Sequence, residues 1–110
     1  LVGTALDKAR ETTDNANLRA AKAEALIMYM NDQTDATSTI DTGYWYDIND
    51  GMFYAADAAG HTKPSGAGNG YNQSTTATGL PANAKAKGAI IIVKIAAGTA
   101  SPVTVEWTAT

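Results

Sequence analysis

The chain reads as an α+β fold, a long N-terminal helix packed on an antiparallel sheet of about four strands, and three observations predict it. An apolar or small residue recurs in steps of four and three at Val2, Leu6, Ala9, Thr13, Ala16, Ala20, Ala23, Ile27 and Met30, the period of one helix face. Two aromatic runs, Tyr44-Trp45-Tyr46 and Met52-Phe53-Tyr54, flank an Asp50-Gly51 pair, which is a hairpin signal. Near the C-terminus a β-branched run and a cleanly alternating segment follow each other across a Gly- and Pro-containing turn. The 110 residues are enough for one modest core, so a single domain is expected. It divides into a helix over 1–31, loops and the aromatic hairpin over 32–87, and a C-terminal β-hairpin over 88–110.

The helix is expected from about Thr4 to Met30, roughly 40 Å at about 1.5 Å per residue. Asp7 with Arg10, Lys8 with Glu11 and Arg10 with Asp14 are spaced three or four apart, as solvated pairs that favour helix over coil by a few tenths of a kcal/mol each. A small domain cannot cover such a length, so the seam is expected to divide. Val2, Leu6, Ala9, Thr13 and Ala16 form a face left for a partner. Ala20, Ala23, Ile27 and Met30 turn toward the sheet, next to the nearly continuous apolar block from Leu26 to Met30. The polar run from Asn31 to Thr39 ends the helix and begins a loop.

The hairpin occupies Gly43 to Ala56, with Asp50-Gly51 at or near its turn. Which of its rings face the helix is left open by the period, since Trp45 shares parity with Asp47 while Tyr44 and Tyr46 lie opposite. From Gly60 to Asn83 the chain holds Gly, Ser, Thr, Asn and Pro with almost no bulky apolar residue, the composition of a long surface loop. In the run Ile90-Ile91-Ile92-Val93-Lys94-Ile95 the lone charge Lys94 points outward and turns Ile91, Val93 and Ile95 inward. The final strand sets Val103, Val105 and Trp107 on one face and Thr104, Glu106 and Thr108 on the other. These inward residues complete the expected helix-sheet core.

Eleven acidic and eight basic residues give a net charge of −3, mixed along the chain. No basic run tracks a phosphate backbone, so nucleic acid is not an expected partner. The chain has no Cys, which excludes disulfides, thiolate metal sites and a Cys nucleophile. No stretch approaches the roughly 20 apolar residues that span a bilayer. No G-x-S-x-G, H-E-x-x-H or Walker-type loop occurs, so neither an enzyme nor a cofactor is expected. Gly66, Gly68 and Gly70 resemble a phosphate loop only superficially, since they neither follow an apolar strand nor open a helix, and read as a flexible loop. His61 stands among polar loop residues with no nucleophile motif beside it and reads as a surface histidine. Asp47, Asn49 and Asp50 are the one local set of oxygen ligands that suggests Ca²⁺, yet they lack the alternate spacing and the closing Glu of an EF-hand-type loop. The hairpin turn accounts for the same residues.

Three stretches resemble the type IV pilins and pseudopilins, particularly those of Gram-positive bacteria. Residues 1–14, beginning Leu1-Val2-Gly3-Thr4-Ala5-Leu6, look like the stretch that follows the membrane segment of such proteins. Residues 16–25 are similar to the amphipathic part of the pilin helix. The closing strand Val103-Thr104-Val105-Glu106-Trp107, after the strand from Gly88 to Ile95, completes a pilin-like roll. The resemblance implies a structural subunit of a pilus or pseudopilus filament, made as a prepilin and assembled by packing helix against helix. It also implies a membrane segment ahead of Leu1, a location at the cell surface, and other pilin subunits as partners. The absence of Cys departs from the many Gram-negative members that close a C-terminal loop with a disulfide. The alternative is a minor or tip subunit with the same fold, acting as an adhesive or ligand-binding module through residues 60–83.

Overall fold

The structure, a computed structural model, describes residues 2–31, 44–55, 58–71, 80, 85–96 and 98–110, with side chains from Ala5 onward. Helix α1 runs over Val2–Met30, and Asn31 N–H closes its last turn on the Ile27 carbonyl at 3.0 Å. Four strands follow, β1 (Tyr44–Asp47), β2 (Met52–Ala55), β3 (Ala89–Ile95) and β4 (Val103–Ala109), with one 3₁₀ turn at Ala86–Gly88. They form one antiparallel sheet in the order β2-β1-β3-β4. The architecture is α+β. The polar run after Asn31 and residues 72–79 and 81–83 of the long loop lie outside the described residues.

The β3–β4 register places Ile91 opposite Trp107, Val93 opposite Val105 and Ile95 opposite Val103. Alternation therefore stacks all six on the face that meets the helix. Trp107, Ile91, Val93 and Val103 are buried, and Ile95 and Val105 pack partly against them. Lys94 stays outside, where its Nζ meets Glu106 Oε1 at 2.7 Å. In the aromatic hairpin the pairing is Tyr46 with Phe53 and Trp45 with Tyr54. Tyr46 and Phe53 join the helix-side core, with ring centroids 5.1 Å apart. Trp45, of opposite parity, is buried outside that cluster together with Ile90. The sheet is thus covered in part on both faces.

On the helix, the buried stripe is Asp14, Ala21 and Ala25, with Leu18 and Met28 partly covered. This corrects the expected helix half of the core. Ala20 and Ala23 are exposed, Ile27 is 50% exposed and Met30 78%. The buried stripe lies about 140° around the helix from the predicted seam, counting about 100° per residue. Small Ala21 and Ala25 let the helix backbone come close to a sheet whose own bulk, led by Trp107, fills the gap, and Leu18 and Met28 pack at the margins of that contact.

Asp14 is also corrected: it is fully buried, and its Oδ1 accepts the Tyr71 N–H at 2.8 Å. Arg10–Asp7 at 3.6 Å and Lys8–Glu11 at 3.9 Å stand on the surface. Tyr71 belongs to a segment pressed against the sheet. Asn69 N–H donates to the Ala89 carbonyl at 2.9 Å. A Cβ on Gly68 would come within 2.0 Å of the Ala89 backbone, and one on Gly70 within 1.9 Å of the Ala86 carbonyl. These two glycines permit close backbone approach and are not a flexible loop.

Candidate functional site

Two features stand out, the open face of α1 and the tip of the aromatic hairpin. From Ala5 to Ala9 every helix residue is exposed. Five positions exceed one full turn, so this described stretch of the helix is open to solvent all round. Beyond it the seam continues without a break: Leu6, Ala9, Thr13, Ala16, Ala20, Ala23, Ile27 and Met30 are all exposed. Thr13 adds its methyl to this face, because its hydroxyl donates to the Ala9 carbonyl at 3.0 Å and is satisfied within the helix. Beside the seam, Leu18, Arg19, Lys22, Ala23, Leu26 and Val105 line a shallow, mostly apolar groove of about 390 Å³. The predicted assembly residues Leu6, Ala9, Thr13 and Ala16 thus lie on the same stripe as the residues expected in the core. Val2 is in the helix, and its side chain is outside the described set. No helix among the described residues is long and apolar enough to cross a membrane.

The hairpin turn spans residues 48–51 between β1 and β2. Gly51, at φ 73°, takes the left-handed conformation that the turn requires, and its N–H donates to the Asp47 carbonyl at 2.8 Å. Each aspartate spends one oxygen on the turn. Asp47 Oδ1 accepts the Asn49 N–H at 2.9 Å and Asp50 Oδ1 the Met52 N–H at 3.2 Å, both Asx-type contacts. Their second oxygens face the same group. His61 Nδ1 lies 3.5 Å from Asp47 Oδ2 and 3.8 Å from Asp50 Oδ2. Tyr54 holds this arrangement from two sides: its ring stacks on the imidazole, centroids 3.6 Å apart and 11° from parallel, and its hydroxyl donates to Asp50 Oδ2. That hydrogen bond to a carboxylate pushes the Tyr54 phenol up to about 12.

His61 is therefore not the isolated surface residue expected. It is half-buried, and with Asp47 and Asp50 it forms a three-residue group whose donor atoms lie within 4.8 Å of one another. Asn49 gives its backbone N–H to Asp47, and the group that faces the second oxygen of both aspartates is the imidazole. The signal for this convergence was the parity of Trp45 with Asp47, which places both on the sheet face away from the helix. Next to the turn, Ile48, Asn49, Asn69, Gly70, Tyr71 and Lys87 line an open cleft of about 420 Å³. Set against protein-family models, curated proteins and solved structures, the chain matches none of them.

Proposed function

We propose that this protein is a structural subunit of a filament of the type IV pilus or pseudopilus kind, in which copies join by packing helix against helix. One observation carries the reading: an apolar and small-residue stripe exposed from Leu6 to Met30 along a 29-residue helix whose residues 5–9 are all exposed. A stripe that long is larger than the scattered exposed apolar residues of ordinary monomers and asks for a partner of matching length. Its alanines, Ala9, Ala16, Ala20 and Ala23, allow close approach of a second helix. A pilin-like roll, a cell-surface location and anchoring before assembly by a membrane segment ahead of Leu1 belong to the same proposal.

The test is Leu6→Asp and, separately, Ala16→Asp in the full chain expressed in its host. Both positions are exposed, so the isolated domain should melt within about 2 °C of the wild type, since such surface changes stay within about 0.5 kcal/mol. Sheared filament fractions should lose the subunit, because each variant buries an unpaired carboxylate between helices. Normal filaments from both variants would remove the reading.

A further inference from the structure

We propose that Asp47, Asp50 and His61 form a binding site for a divalent transition ion of the zinc type. The inference does not depend on filament assembly. The separations carry it. At 3.5 and 3.8 Å, His61 Nδ1 lies within ion-pair reach of both carboxylates at once, with the Asp47 contact at the outer limit of a hydrogen bond. Donor atoms around a tetrahedral ion with bonds of about 2.0–2.1 Å sit about 3.3 Å apart. Two edges of that polyhedron are thus in place to within about half an ångström. The two aspartates are held by their own turn through Oδ1 and present Oδ2. The histidine arrives from the following loop and its ring plane is fixed by the Tyr54 stack.

The donor chemistry selects the ion. One imidazole nitrogen with two carboxylates suits zinc and its neighbours, whereas Ca²⁺ takes six to eight oxygens, and the pairing with Asn49 expected from sequence supplies too few. Three protein ligands leave a fourth position for water or for a donor from another molecule. Tyr54 is a positioning residue, since its hydroxyl hydrogen-bonds the Asp50 oxygen that would face the ion and its ring orients the imidazole. Bound metal would tie the hairpin tip to the loop carrying His61.

The experiment is a Zn²⁺ titration of the metal-stripped, untagged protein, read by calorimetry and by the nitrogen-15 spectrum of the imidazole. His61 is the only histidine in the chain, so its ring signals are unambiguous without any substitution. The expected result is a single equivalent bound, a displaced Nδ1 resonance at saturation, and affinity reduced roughly tenfold or more in Asp47→Asn and in Tyr54→Phe. His61→Gln, with its fold checked by circular dichroism without metal, should lose the saturable heat. Absence of saturable heat in the wild type, or saturable binding that leaves the His61 resonances in place, overturns the proposal. So does Ca²⁺ binding as tightly as Zn²⁺ with the imidazole undisturbed, which would describe an oxygen-only site.

Discussion

The two long faces of helix α1 differ in the opposite sense from a simple inside-outside rule. The face turned to the sheet carries Asp14, Ala21 and Ala25, all at 1% exposure or less. The face turned to solvent carries Leu6, Ile27 and Met30, exposed at 48, 50 and 78%. Burial follows the space available above the sheet, where Trp107 and the β3 side chains already provide the apolar bulk. Apolar character alone therefore marks a surface that seeks cover without saying whether the same chain supplies it. In this protein the domain covers the stripe through Asp14, Ala21 and Ala25 and leaves the stripe from Leu6 to Met30 open.

The sharpest way to break that division is to compare a substitution at the floor of the covered face with one on the open face. Trp107→Ala should lower stability by about 3–5 kcal/mol, because the ring is fully buried and its loss leaves a cavity under the helix. Its indole N–H has no acceptor among the described residues, so the loss is one of packing. Ile27→Asp should leave chemical denaturation of the isolated domain almost unchanged. A large loss for Ile27→Asp would mean that the seam is covered within the monomer after all.

A second comparison uses adjacent positions. Ala21→Leu forces a larger side chain into the helix-sheet contact and should cost about 1–3 kcal/mol. Ala20→Leu, one residue away on the exposed stripe, should stay within about 0.5 kcal/mol. Equal midpoints in urea for the two variants would contradict the orientation of the helix.

Particular residues show what was legible in the chain. Ile91, Val93, Val103 and Trp107 are buried where period-two alternation places them, because Lys94 and Glu106 mark the outer face and register does the rest. The helix itself and the position of the hairpin turn follow from equally local signals. The orientation of the helix did not, since the apolar stripe and the covered stripe have the same period and differ only in what the sheet can accommodate. Asp14 looks like a surface carboxylate in its own helix. Yet it accepts a backbone N–H from 57 residues away, beyond any spacing rule. His61 was missed for a similar reason, being 14 residues from Asp47 across a loop whose path sequence does not reveal.

The finest comparison lies in the hairpin, between a tyrosine on the covered face and one on the open face. Tyr46 packs in the core, and its phenol is raised first by burial and then by the nearby charges of Glu24 and Asp50. Tyr54 lies on the other face, and its phenol is raised to about 12 first by its hydrogen bond to Asp50. Both shifts favour the neutral phenol in the folded chain. For Tyr54 the stabilisation is fully present below the ordinary tyrosine value of about 10 and is lost as pH rises through about 12. A spectrophotometric phenolate titration should therefore show a late component near pH 12 that vanishes in Tyr54→Phe. In Asp50→Ala the same component should move down toward about 10, while Tyr46, governed chiefly by its burial, should remain raised. A late component that survives Tyr54→Phe would belong to another tyrosine, and the hydrogen bond that orders the Asp47, Asp50 and His61 group would lose its support.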